Sequence, residues 1–583
     1  MSDLNLVRYY QRLAVLGIGI ELKTALPDLA DIMCTSPRHA RNLLKQMQVL
    51  DWLNWTPKVG RSRRSTLVLN HHLSELKELL ASKRILAGKY QQALTILEQD
   101  QMTFGRLLQT TSGASLREGL LHIQLTYKRP FERLVPHHLQ RASERYFIRQ
   151  LYCCLVKSTH QGELEPQLAH HWQYDSMAFT WIFYLRPGLT FHNGTPIDGP
   201  SITKLFNKLI TLDHYKNELK HVASIHSPTN NKVIFKLTGA DRGFGGLLSG
   251  VKYAIQPPSQ VNDSSNKHIV GSGPFQVTEH SESKLCLQAF DHFYACRALT
   301  DQVTIWPLDE QELKTNQRSF DRRSDRKPHN EKYYVSHAVS QHIDHNVNQT
   351  RIEEGSMYIL FNQRAQLPLT ADQRRYLSGY LTPQAIYRGL EHEGLLFGCE
   401  IARSLLPMWK PITRPTSPEV TVPESISIAI YDYAPMKSCT FVIQQLLERQ
   451  GINVTINTYS YRELNHLAQT NQLQETLIIN NLNLDDNRHA SAFSGLYHNP
   501  VIHHGIGLPA TIWLKEQLDA LRATIPLNQY LDRIEPIASV LVHQDWLIPL
   551  FHHRLTLRFQ GVLEDVELTN WGWPDITNVW SNH

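Results

Sequence analysis

The sequence predicts a multidomain protein: an N-terminal, mostly α, winged helix-turn-helix followed by a much larger α/β part. Three observations carry this. A capped amphipathic helix with a basic face lies near residue 40, an arginine-rich hairpin follows directly behind it, and beyond residue 115 the texture changes to alternating strands, Pro-Gly turns and a β-α-β unit. At 583 residues the chain is too long for one ordinary core.

Residues 4 to 20 read as a first helix, with Leu6, Tyr9, Leu13 and Leu16 on one side. Leu26, Leu29, Ala30 and Met33 repeat at helical spacing, and Pro27 suits a first turn. After a break at Cys34-Thr35, Ser36-Pro37 reads as N-cap and first helical residue. Ala40, Leu43, Leu44, Met47 and Leu50 then form one apolar stripe, opposite Arg38, His39, Arg41, Asn42, Lys45 and Gln46. A helix docked by such a stripe can offer Arg and Asn side chains to base edges in a major groove.

Trp52–Thr56 and Thr66–Leu69 read as strands around the turn Gly60-Arg61-Ser62-Arg63-Arg64-Ser65, a wing with a cationic tip. Between Ser36 and Leu69 seven cations (Arg38, Arg41, Lys45, Lys58, Arg61, Arg63 and Arg64) face one acid, Asp51. That excess suits phosphate neutralisation. Ser36, Arg38, His39, Arg41, Asn42, Lys45, Arg61, Arg63 and Arg64 are therefore the candidate DNA-binding residues, with double-stranded DNA as the partner. The alternative is a three-helix domain with a solvated basic face.

Helical patterning continues from Leu73 to Thr110, and Ser112-Gly113-Ala114-Ser115 reads as a hinge. The expected domains are 1–115 and 116–583. In the second, Leu121–Leu125 alternates as a strand and Ser143–Val156 is helical. The aromatic strand Thr180–Leu185 enters a Pro187-Gly188 turn, and Asn193-Gly194 leads to a helix over Ile202–Ile210. Gly271-Ser272-Gly273-Pro274 is a further turn. Ile426–Ile430, Lys437–Gln450 and Gly451–Ile456 form a strand-helix-strand unit. The stretch 310–349 is a polar, cation-rich insertion, expected as a surface loop, with a second nucleic-acid contact as the alternative.

Composition narrows the function classes. Hydrophobic content of 42% and charged content of 19% describe a globular chain. The net charge of +5 is mild, which makes the N-terminal basic patch a local feature. The start lacks a cationic n-region and cleavage site, and no apolar run has membrane-spanning length. The seven cysteines lack CxxC spacing, which fits reduced thiols. A cytoplasmic protein without a membrane partner is the expectation.

Thirty histidines include the doublets His137-His138, His170-His171, His503-His504 and His552-His553, but no HExxH spacing, so no metal site is expected. No GxSxG elbow or paired catalytic motif is present, and Gly17-Ile18-Gly19 and Gly505-Ile506-Gly507 are too short for dinucleotide fingerprints. Neither catalytic residues nor a cofactor is expected.

The segment Trp181, Phe183, Leu185, Arg186, Gly188, Phe191, His192, Asn193, Gly194 and Pro196, with the later Gly271-Ser272-Gly273-Pro274-Phe275, resembles the signature of family 5 solute-binding proteins, the oligopeptide-binding type. Gly199-Pro200-Ser201-Ile202 departs from it after the proline. The resemblance implies a two-lobed, class II periplasmic-binding-protein-like fold. In its peptide-binding members an acid after a late strand holds the ligand's amino group, and the nearest counterparts here are Asp485 and Asp486. Trp409 and Trp513 are ligand candidates by aromatic type.

With the winged helix included, the whole chain resembles the SgrR family of transcriptional regulators, associated with sugar-phosphate stress. The residues that carry this are Leu29-Ala30, Arg38-His39 with Arg41 and Leu43-Leu44, and Val59-Gly60-Arg61 with Arg64-Ser65. Tyr127 with Arg129-Pro130, Ala169-His170-His171-Trp172, Glu353-Glu354-Gly355 with Tyr358, and Gly572-Trp573 complete the set. Pro37 stands where the family tends to a basic residue. The resemblance implies a regulator whose second domain senses a small molecule, a sugar phosphate or a short peptide. The alternative is a solute- or oligopeptide-binding component of an ABC importer. Oligomeric state, operator sequence and the sign of regulation stay open.

Overall fold

The structure is a computed structural model that describes residues 3–58, 64–262, 268–308, 333–335, 349–413, 420–559 and 563–581. The chain divides into two compact units. One comprises Met1–Pro130 with Ser281–Lys284 and a segment beginning at Thr304; the other holds Phe131–His280, Leu285–Val303 and the chain from Tyr333 onward.

In the first unit α1 (Asp3–Leu13) runs into a 3-10 turn, Ala14–Leu16, and stops at Gly17 instead of reaching residue 20. Gly17 has φ +97, a left-handed conformation that ends the helix. β1 (Leu22–Thr24) precedes α2 (Leu26–Ile32) and α3 (Pro37–Val49), and β2 (Leu53–Thr56) and β3 (Ser65–Leu69) form the wing strands. The sheet order is β1-β3-β2, with Leu22 opposite Leu67 and Trp55 also opposite Leu67. Three residues are too few to show a period, which is why β1 was not expected. Leu29, Leu43, Leu44, Met47, Trp52, Leu53 and Leu67 are buried together in the core beneath these elements.

Helices α4 (Leu73–Leu86), α5 (Tyr90–Ile96) and α6 (Gln101–Thr110) follow. The expected hinge is not a hinge: β4 (Gly113–Arg117) begins there and pairs antiparallel with β5 (Leu120–Tyr127). Leu121, Ile123 and Leu125 of β5 are buried, and Gln124 Nε2 donates to Leu108 O and Thr111 Oγ1, both at 3.3 Å. The strand assigned to the second domain thus closes the first unit. Trp306 packs edge-on against Tyr90 and Phe104, and Leu308 N donates to Tyr127 O at 2.7 Å. The polar insertion 310–349 lies almost wholly outside the described residues.

Two large apolar cores stand out among the described residues of the second unit. Around the first, Ala169–Asp175, Thr180–Leu185, Lys232–Leu237 and Val222–Thr229 form a four-stranded antiparallel sheet in that spatial order, flanked by the helix Gly199–Leu209. Trp181, Phe183 and Leu185 point into this core, as their alternation predicts. The two signature segments meet here. Gly271 N donates to His192 Nδ1 at 3.1 Å, and His192 Nε2 lies 3.0 Å from Gly273 O, which fixes the ring as the neutral Nε2–H form. A Cβ on Gly271 would sit 1.9 Å from Leu151 O, so that position admits only glycine.

Around the other core is a larger sheet containing Leu547–Phe559, Gly355–Phe361, Leu477–Asn483, Ser425–Tyr431 and Asn453–Tyr459 in spatial order. Ser425–Tyr431 runs parallel to both Asn453–Tyr459 and Leu477–Asn483, with Ala434–Glu448 as the crossover helix of the expected β-α-β unit. No helix among the described residues is long and apolar enough to cross a membrane.

Candidate nucleic-acid interface and ligand cavity

The candidate interface in the first unit is built from its turn. Cys34 takes φ +53, reversing the chain between α2 and α3. Ser36 Oγ then accepts from His39 N at 3.3 Å and Pro37 opens the first turn. With Ala40, Leu43, Leu44 and Met47 buried, Arg38, Arg41, Asn42 and Lys45 share the exposed face at i, i+3, i+4 and i+7. No carboxylate lies within 4.0 Å of those three cations among the described residues, so their charge is uncompensated.

His39 is half-buried and meets the Tyr9 ring edge-on at 5.9 Å, so it is partly turned into the unit. Arg64 is exposed at the foot of β3, while Arg61 and Arg63 lie outside the described residues. Leu50, expected on the apolar stripe, caps α3 and is 41% exposed.

In the second unit a cavity of about 520 Å³ is walled by residues of several helices and one strand end. Helix α7 (Ala142–Leu151) contributes Arg145, and the strand Leu477–Asn483 ends in Asn480, Asn481 and Asn483. Helix α8 (Arg488–Tyr497) adds Ser491 and Ser494. Helix α9 (Pro500–Thr524), capped by the Asn499 side chain, adds His503, His504, Thr511 and Lys515. α9 is broken at Gly507, φ +81, where Thr511 Oγ1 donates to both His503 O and Gly507 O.

The cavity wall is rich in positive charge. Lys252 is bound to the buried carboxylate of Glu218, which His498 Nε2 also approaches at 2.9 Å. Burial would raise the Glu218 pKa, but His498 and Lys252 hold it well below the usual carboxylate range. No salt bridge reaches Arg364 or Lys515 among the described residues; burial and the nearby Lys220 lower the lysine's pKa. Burial depresses His503 to about 4.

The four candidate ligand residues are not brought together. Asp485 lines the cavity, paired to Arg145 at 2.7 Å. Asp486 does not line it; its Oδ1 accepts from Asn570 N at 3.4 Å, and burial pushes its pKa up to about 6. Trp409 is buried in the larger core with Nε1 donating to Leu531 O at 3.1 Å, and Trp513 packs half-buried against the same core. The residues that sequence reasoning missed had a signal: Asn480-Asn481-Leu482-Asn483 is a polar run ending an apolar strand, and His503-His504 is one of the histidine doublets. Among the described residues no group of three or more His, Cys, Asp or Glu could hold a metal ion.

A winged helix with a basic face and a solute-binding type of unit on one chain define a regulator with a ligand-binding domain. Comparison with known proteins agrees. Residues 5–119 match the family model for the sugar transport-related sRNA regulator N-terminus, and residues 163–375 match that for the middle of bacterial extracellular solute-binding proteins, family 5. The protein named HTH-type transcriptional regulator SgrR from Yersinia enterocolitica is 28% identical over 591 residues, covering 100% of this chain and 99% of that one.

The binding protein AgaA from A. tumefaciens R10, solved with agropinic acid, has a TM-score of 0.62 at 14% identity, over 79% of this chain and 98% of that one. The oligopeptide-binding protein AppA from Bacillus subtilis, solved with a nonapeptide, has a TM-score of 0.62 at 15% identity, over 79% of this chain and 98% of its own. These structures share the two-lobed solute-binding fold with the second unit. Over its whole length the chain is similar to proteins named as SgrR transcriptional regulators.

Proposed function

We propose that this protein is a DNA-binding transcriptional regulator whose solute-binding unit senses a small metabolite and sets how tightly the winged helix holds its operator. The observation that supports it best is the uncompensated face Arg38-Arg41-Asn42-Lys45, carried on the same chain as a roomy polar cavity. Arg38, Arg41, Asn42 and Lys45 enter the groove, Ser36 fixes the helix start, and His39 supports the helix from its base. Arg61, Arg63 and Arg64 grip the backbone. The protein works in the cytoplasm, by binding and not by catalysis. An importer role is not favoured, because the full-length relative matched end to end is named as a transcriptional regulator.

The effector is a small anionic solute of the sugar phosphate class, since Arg364 and Lys515 offer the cavity two cations without carboxylate partners among the described residues. Effector and DNA are coupled by about 1–3 kcal/mol, a several-fold to hundredfold change in operator affinity. Titrating the full chain with a duplex from its own upstream region, with and without glucose 6-phosphate, tests this. Linkage requires the sugar phosphate to change DNA affinity and DNA to change sugar phosphate affinity by the same factor. Arg41→Ala with Lys45→Ala should weaken binding and flatten its salt dependence by about 1 in slope for each phosphate no longer neutralised. An unchanged slope with unchanged affinity would remove α3 from the interface.

A further inference from the structure

Among the described residues two carboxylates line the cavity, Asp213 and Asp485. Asp213 is exposed at the start of the short helix Asp213–Lys216, whereas the Asp485 side chain is only 13% exposed. A shielded carboxylate in a cavity is ordinarily an anchor for a ligand's ammonium group, because attraction between opposite charges strengthens as water is removed. Here the chain supplies the cation itself. Arg145 Nε lies 2.7 Å from Asp485 Oδ1, Arg145 Nη2 donates to Asn483 O at 3.3 Å, and Trp571 Nε1 donates to the same Asp485 oxygen at 3.1 Å.

The pair is not a loose surface contact. Arg145 is 25% exposed, and its neighbour on α7, Tyr146, is fully buried and stacked on Trp573 at 5.6 Å. The helix that carries the guanidinium is therefore clamped. Of the remaining lining cations Lys252 is bound to Glu218, while Arg364 and Lys515 have no salt-bridge partner among the described residues, so the cavity as folded has a shortage of free negative charge.

We propose that Arg145 is a specificity-determining residue of the cavity: by occupying Asp485 it excludes solutes whose recognition depends on a free ammonium group, such as unblocked peptides and amino acids, and reserves the site for neutral or anionic ones. This rests on the cavity being the effector site. Removing the guanidinium leaves a shielded carboxylate without its ion-pair partner, a place that an incoming ammonium would take. Specificity here comes from an internal competitor for the acid, in addition to contacts made to the accepted solute.

The test uses the full chain and three probes: L-alanyl-L-alanine, its N-acetyl derivative and glucose 6-phosphate, each titrated calorimetrically and by thermal shift. The wild type should not distinguish the free from the acetylated dipeptide by more than about threefold. Arg145→Met should bind the free dipeptide at least about tenfold better than the acetylated one, and adding Asp485→Asn should abolish that preference. A wild type that prefers the free amine tenfold or more overturns the proposal, and this arm needs no variant to fold. A folded Arg145→Met without amine preference, in a protein that binds glucose 6-phosphate, also overturns it and leaves the cavity reading standing. If none of the probes binds wild type or variant, the cavity reading fails and the proposal falls with it.

Discussion

Ser36 decides where α3 begins. Its Oγ takes the His39 amide that would otherwise be an orphan of the first turn, and Pro37 behind it brings no amide to satisfy. Ser36→Ala should cost about 1 kcal/mol in the unfolding of the first unit, whereas Ser36→Asp, also able to cap, should cost little. Denaturant melts followed by tryptophan fluorescence would read this, since Trp52 and Trp55 are buried in that core. Equal losses for both substitutions would mean that the cap does not hold the helix. Gly271 is a harder constraint. The atom a side chain would strike is the main-chain oxygen of Leu151, and the same turn positions His192. Gly271→Ala should therefore lower yield and melting temperature sharply, by more than about 3 kcal/mol, because neither backbone segment can step aside cheaply. A variant as stable as wild type would show that the two signature segments do not meet as described.

Elements with a period were legible in the sequence, and elements fixed by tertiary contact were not. The α3 stripe, the alternation of Thr180–Leu185 and the parallel pair around Ala434–Glu448 follow from residue spacing. β1 has three residues, and β4 begins at Ser112-Gly113-Ala114-Ser115, whose small residues mimic a hinge until β5 is laid beside them. The cavity was harder still to read. Asp485 could be placed from its position after a strand, but its partner Arg145 lies hundreds of residues earlier, on a helix whose pattern speaks only of core. Trp409 and Trp513 are ligand candidates by aromatic type only, and type alone does not separate a cavity aromatic from a core one. The C-terminal segment makes the same point. Trp573 is 1% exposed, stacks on Tyr146 and donates to Ser143 Oγ at 3.2 Å. Trp573→Ala should cost about 3–5 kcal/mol in the second unit, through the cavity it leaves and the loss of its hold on α7. A loss below about 1 kcal/mol in a denaturant melt would detach this segment from the fold.

At the scale of the whole molecule the many histidines act together. Burial is the leading cause that holds His138, His192, His214, His489 and His503 at about 4, below their ordinary 6.5. The native state keeps these rings neutral while the unfolded chain protonates them below about pH 6.5. The unfolded state then binds more protons, so stability is fully present above 6.5 and is lost as the pH falls towards 4. Each unit of depression is worth about 1.4 kcal/mol, and with partial exposure discounted each ring contributes on the order of 1 kcal/mol. Asp486 works the other way. Burial raises it to about 6, so the native state takes its proton first and gains stability between 6 and its unfolded value near 4. One carboxyl against five rings leaves the balance with the histidines. The melting temperature of the second unit should be level from pH 8 to 7 and fall steeply between 6.5 and 4.5, before most carboxylates titrate. His192→Gln, which offers the same two hydrogen-bonding roles without a titrating ring, should flatten that fall measurably. If the melting temperature held constant down to pH 5, the buried rings would have to be charged in the native state, and the Gly271–His192–Gly273 bridge, which needs an acceptor at Nδ1, could not be what joins the two signature segments.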